Sequence, residues 1–149
     1  MNRTIVSPSG RRYEIGAQFS KRVTFDRAGA QTFAALAGDF NPLHHDEAAA
    51  RRSRFGALIA SGTQTSSVMM GVVASALCSF GPGAGLDFTI RLKKPVYVDQ
   101  PTTIVWRLTA VARMPGVKGD VLSFEGELRN AAGEIAVQAK TRGIVFDES

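Results

Sequence analysis

The run from Thr65 to Cys78, TSSVMMGVVASALC, constrains the fold more than any other stretch of the chain. Gly62 to Ser79 reads as one helix, and from Val68 to Cys78 that helix is apolar nearly all round. A helix without a polar face has to be enclosed on most sides. A membrane span needs about 20 consecutive apolar residues, so this shorter run predicts a buried helix and no membrane partner.

The residues after the helix supply the enclosure. Leu86, Phe88, Ile90 and Leu92 alternate with Asp87, Thr89, Arg91 and Lys93. Ile104, Trp106, Leu108 and Ala110 alternate with Val105, Arg107 and Thr109, and Leu122, Phe124 and Leu128 with Ser123, Glu125 and Glu127. This period of two is that of strands with one wet face. Turn signals separate them at Asp99-Gln100-Pro101, Pro115-Gly116, Lys118-Gly119 and Asn130 to Gly133. A last strand runs from Glu134 to about Val145, and Gln18 to Phe25 alternates weakly as a first one. An antiparallel sheet wrapped round one long helix is an α+β design. A chain of 149 residues is long enough for a real core and is read as one domain, 1–149. Residues 1 to 12 read as a polar lead-in without the apolar segment of a secretory signal. The single cysteine, Cys78, rules out an internal disulfide and suits a reducing cytosol, so a cytoplasmic location is expected. The net charge is +5, but the basic residues are scattered without interleaved aromatics, so no nucleic-acid partner is expected. A basic surface suits a phosphate-bearing ligand; it is equally the surface of any solvated protein.

Between the first strand and the long helix lies GDFNPLHHDEAAARRSRFGALIASGTQT, Gly38 to Thr65. Asp26 can cap a helix over 27–37, and Gly38 ends it. Asn41-Pro42 predicts a stiff, non-helical segment from Asp39 to His44, with Asn41 extended. Asp46 can cap a short Ala-rich helix that stops before Phe55-Gly56. Ser61-Gly62 opens the long helix, whose first N–H groups lack intrahelical partners. An acid, a base and free helix amides are the parts of a proton-transfer site at a carbonyl. Each residue also has a plain reading. Asn41 and Pro42 can simply shape the turn, Asp46 can be only a cap, and His45 a surface or packing residue. Asp39 can satisfy loose backbone amides with His44 as its partner, Ser61 can be only an N-cap and Gly62 a packing glycine. No strong zinc spacing is present, so no metal site is expected.

The pattern Asp39-x-Asn41-Pro42-x-His44, with Gly38 before it and Asp46 after, resembles the hydratase motif of the MaoC-like dehydratases, which include the (R)-specific enoyl-CoA hydratases of the hot-dog fold. Further matches follow in order at Phe55, Ile59-Ala60, Gly62, Pro82-Gly83 and Lys94-Pro95-Val96, so the likeness spans roughly residues 15 to 145. The resemblance implies a lyase of fatty acid metabolism that adds water to a 2-enoyl-CoA or removes it from a 3-hydroxyacyl-CoA. By that resemblance Asp39 and His44 are catalytic, while Asn41, Ser61, Gly62 and Gln64 bind substrate. Coenzyme A enters as part of the substrate and no separate cofactor is implied. The family's site lies at a dimer interface, which implies a homodimer or a dimer of dimers. One departure is clear: many members carry histidine directly before the helix-opening glycine, where this chain has Ser61, followed by Thr63-Gln64 in place of an apolar pair. That change bears on the acyl group rather than on the reaction, and it predicts a roomier, more polar pocket wall. A hot-dog thioesterase, a non-catalytic acyl-CoA-binding module and one half of a hetero-oligomeric dehydratase are the alternatives.

Overall fold

The computed structural model describes residues 2–148. Strands β1 (Arg3–Val6) and β2 (Arg12–Ile15) form a hairpin of their own. Strand β3 (Gln18–Thr24) leads into helix α1 (Arg27–Leu36) and the short helix α2 (Glu47–Arg52). The long helix α3 (Gly62–Cys78) follows, and then strands β4 (Gly83–Leu92), β5 (Pro101–Ala112), β6 (Gly119–Arg129) and β7 (Ile135–Phe146). β3 to β7 make one antiparallel sheet in the order β3-β5-β6-β7-β4. β3 and β4 therefore form its two edges, and the segment between them in sequence carries α1, α2 and α3.

The alternation of β5 turns Ile104, Trp106 and Leu108 inward, all 0% exposed, against α3. Trp106 donates its indole N–H to the carbonyl of Met69 at 2.9 Å, which ties the middle of the sheet to the middle of the helix. Gly126 sits opposite Trp106 in register on β6, and a Cβ there would overlap the indole ring. Leu122, Phe124 and Leu128 of β6 and Val137 and Val145 of β7 complete that wall. Each such side chain contributes about 1.5–3 kcal/mol by leaving water, so this inner face is what holds helix and sheet together.

Three expectations change. First, one chain encloses α3 on one side only: Met69, Val73, Ala76 and Leu77 are buried, while Thr63, Ser67, Met70, Gly71, Ala74 and Cys78 are exposed. A sheet of five strands curls round half of a helix, and among the described residues no further strand covers the other half. Second, most of the polar lead-in of residues 1 to 12 belongs to the β1–β2 hairpin, anchored just beyond it by Tyr13, which is 1% exposed and meets Phe80 at a tilt of 56° with ring centres 5.1 Å apart. Third, Leu86 and Leu92 of edge strand β4 are exposed, with a register shift between Gly85 and Asp87. No described helix is long and apolar enough to cross a membrane.

Candidate active site

Asp39 is delivered by the end of α1. Gly38 takes the left-handed conformation at φ 76°, which glycine adopts without the Cβ penalty. The Gly38 N–H then reaches the carbonyl of Ala35 at 3.0 Å, and the Asp39 N–H that of Ala34 at 2.8 Å. This pair of bonds closes the helix and fixes where the chain leaves it. The chain then turns on its own side chains. Asp39 Oδ1 accepts from the Asn41 N–H at 3.1 Å, and Asn41 Oδ1 accepts from the Leu43 N–H at 3.1 Å. Asn41 is extended (φ −58°, ψ 122°), as expected before proline, but Pro42–His44 form one turn of 3-10 helix where a non-helical segment was expected. Proline at the first position of a helical turn gives up only an N–H that had no partner there, which is why the turn tolerates it.

That turn carries His44 inward to 5% exposure. The Leu43 carbonyl accepts from the Ile59 N–H at 3.1 Å, and His44 Nδ1 lies 2.8 Å from the Ile59 carbonyl. A carbonyl oxygen only accepts, so Nδ1 carries the hydrogen and a neutral ring leaves Nε2 as a bare acceptor. Nε2 sits 3.4 Å from Asp39 Oδ2. Two acceptors at that distance cannot bond each other while the ring is neutral. Such a pair is suited to sharing a donor, a water in front of both or a proton that charges the ring. The Asp39 side chain is 32% exposed, so water reaches it.

The third part arrives through β-pairing. Ala60 N–H donates to Val96 at 2.8 Å and Val98 N–H to Leu58 at 3.2 Å, which holds residues 58–60 beside 96–98. Ser61 then caps α3, its Oγ accepting from the Gln64 N–H at 3.1 Å. Gly62 is the first helical residue, and a Cβ there would overlap Leu92 Cδ1. His44 and Gly62 line one cavity of about 380 Å³, with Ile59, Ala60, Thr65 and Leu92 as apolar and hydroxyl walls and Arg54, Lys93 and Lys94 among its basic ones. A larger cleft of about 550 Å³ lies on the outer face of the sheet among Arg91, Arg107, Glu125 and Lys140. It contains none of the motif residues, so its size does not make it the reaction site.

A family model described as "MaoC like domain" matches residues 11–121. The chain belongs to this MaoC-like family. The (R)-specific enoyl-CoA hydratase of Aeromonas caviae is 36% identical over 108 residues, covering 69% of this chain and 76% of that protein. The solved (R)-hydratase of A. caviae, described as involved in PHA biosynthesis, superposes with a TM-score of 0.79 at 26% identity, covering 89% and 97% of the two chains. An R-hydratase of Pseudomonas aeruginosa in its unliganded form is alike in fold, with a TM-score of 0.74 at 22% identity over 99% and 90% of the chains. The architecture is the hot-dog fold that the motif implied, with α3 as the wrapped helix.

The site residues named from the sequence separate into two groups. Asp39, His44 and Gly62 converge, His44 and Gly62 on the cavity and Asp39 on the exposed side of His44. Asn41, Ser61 and Gln64 do not line that cavity. Asn41 has its side-chain oxygen in the turn, and Ser61, 0% exposed, has its oxygen in the helix cap. Gln64 is 9% exposed, and its Oε1 is buried without a hydrogen-bond partner among the described residues. The residues missed are Thr65, Leu92 and the Ile59 carbonyl. A backbone carbonyl has no signature in a sequence, and Leu92 read only as one member of an alternating strand.

Proposed function

We propose that the chain adds water reversibly to a 2-enoyl thioester of coenzyme A, giving the 3-hydroxyacyl thioester of (R) configuration. The observation that carries this reading is the pair of acceptors, Asp39 Oδ2 and His44 Nε2, 3.4 Å apart beside the cavity that the first residue of α3 lines. The thioester carbonyl lies against the Gly62 N–H, where the helix start offers a free donor and a partial positive charge. An oxyanion donor of this kind lowers a barrier by ~3–4 kcal/mol in well-studied hydrolases. Polarising the carbonyl draws electron density from the β-carbon of the conjugated system. The water held by Asp39 and His44 forms the new C–O bond there and gives up a proton to the pair. The electron pair moves to the carbonyl oxygen as an enolate, and a proton is returned to the α-carbon. General acid–base catalysis of this type contributes about 10²–10⁴-fold. A thioesterase would direct the water at the carbonyl carbon and release free thiol, whereas hydration directs it at the β-carbon and leaves the thioester intact.

The exposed face of α3, edge strand β4 and the open side of Asp39 suit a second copy of the chain, so a homodimer with its sites near the interface is proposed, working in the cytoplasm. The test is a panel of straight, branched and oxygenated 2-enoyl-CoA substrates with two readouts, loss of conjugated enone absorbance and release of free thiol. The reading expects the first without the second. Thiol release without enone loss would replace the hydratase by a thioesterase, and neither signal would favour the binding module.

A further inference from the structure

His45 has no part in the chemistry described so far, yet it touches Asp39 more closely than His44 does. Its Nε2 lies 2.8 Å from the Asp39 backbone carbonyl. That carbonyl only accepts, so His45 Nε2 carries the hydrogen and donates, the opposite tautomer to His44. The ring is held in place to do this. It stacks on Phe40, with centroids 6.1 Å apart and planes 27° apart, and meets the His44 ring edge-on at 6.4 Å. The His45 N–H donates to Pro42 at 3.1 Å and its carbonyl accepts from Gln31 Nε2 at 3.3 Å. Asp39 is thus gripped on both sides of its Cα: its N–H by the end of α1 at 2.8 Å, its carbonyl by His45. Without the second grip, the peptide after Asp39 turns more freely, and the Asn41 N–H that holds Asp39 Oδ1 at 3.1 Å moves with it. Phe40, 71% exposed, packs on the His45 ring, so its hold on that peptide also runs through His45.

We propose that His45 is a positioning residue for the hydration reaction: its Nε2–H fixes the Asp39 backbone and so the place where the carboxylate meets His44 and the attacking water. This rests on the hydratase reading of Asp39 and His44. A misplacement of about 1 Å at a catalytic group can lower a rate by roughly 10²-fold, so the grip acts on kcat.

Three variants test it. In His45→Gln the side-chain amide reaches as far as Nε2; in His45→Asn it stops short; His45→Ala has no donor. The expected result is kcat near wild type for His45→Gln and lower by roughly 10–100-fold for His45→Asn and His45→Ala, with KM little changed in all three. The bond that His45→Gln keeps and His45→Asn loses is worth a few degrees in Tm, so kcat is compared well below both melting temperatures. Equal kcat in the Gln and Asn variants, or an effect confined to KM, overturns the proposal. If the wild-type protein hydrates no enoyl thioester, the functional reading fails by itself. The grip is then read from the His45 ring by nitrogen-15 NMR: an Nε2–H tautomer supports it and an Nδ1–H tautomer overturns it.

Discussion

Asp120→Asn changes one atom of a fully buried carboxylate, and the structure sets the cost. Asp120 Oδ2 accepts from Tyr13 OH at 2.7 Å and from Ser7 and Ser9 Oγ at 2.9 Å each. Its Oδ1 accepts from Arg113 at 3.1 Å, while Arg113 also holds Asp147 through two bonds of 2.8 Å. One side chain at the start of β6 therefore pins the β1–β2 hairpin to the end of the sheet. In asparagine one oxygen becomes an amide nitrogen. Turned toward Oδ2, the nitrogen would leave three hydroxyls without an acceptor. Turned toward Oδ1, it opposes Arg113, which keeps Asp147, so this second arrangement is the cheaper. It loses one charge-assisted bond and removes the charge from three others. A bond to a charged group contributes about 1.5–3 kcal/mol, so the variant should lose ~2–4 kcal/mol at neutral pH. At roughly 2–4 °C per kcal/mol for a chain of this size, Tm falls by about 4–16 °C. The loss has a pH signature. Burial pushes the Asp120 carboxyl up, but the donors from Tyr13, Ser7, Ser9 and Arg113 outweigh it and hold the pKa below the ordinary 3.8. A depressed carboxylate pKa contributes stability above the unfolded-state value and loses it as pH falls through the folded one. Wild type and variant should therefore converge in Tm as pH drops below about 3.8. Thermal unfolding followed by circular dichroism across the acid range measures both effects. An unchanged Tm at pH 7, or a Tm difference that stays constant through the acid limb, would refute the clasp.

Asp39→Asn and His44→Gln should each lower kcat by roughly 10²–10⁴-fold while Tm moves little; steady-state kinetics beside thermal melts would expose a structural role instead. Ser61→Ala should remove the α3 cap, lowering stability by ~1 kcal/mol, with no change in relative turnover of straight-chain and oxygenated enoyl thioesters. A changed preference would put Ser61 back in the acyl-pocket wall.

Much of this fold was readable because its signals are local. The apolar run of α3 and the alternation of β5 and β6 are properties of neighbouring residues, and so are the caps at Asp26, Asp46 and Ser61. The β1–β2 hairpin escaped because its strands are four residues long and the partner that fixes Tyr13 lies 107 positions away at Asp120. The open face of α3 escaped for a related reason: an all-round apolar helix says that it must be covered, but not that one chain does the covering. At the site, Asp39 and His44 were readable as a spaced motif. His45 looked like a surface or packing residue because its partner is a backbone carbonyl, and only coordinates place it. Ser61 and Gln64 were named for substrate by resemblance, and only coordinates show the Ser61 oxygen in the helix cap and the Gln64 oxygen buried without a partner among the described residues.

The most direct measurement follows the oxygen. A trans-2-enoyl-CoA is incubated with the protein in water enriched in oxygen-18, and the products are separated and read by mass spectrometry. Hydration places the label on carbon 3 of a product that is still a coenzyme A thioester, with none in a free carboxylate. Label in a released carboxylic acid, with the double bond intact, would contradict it.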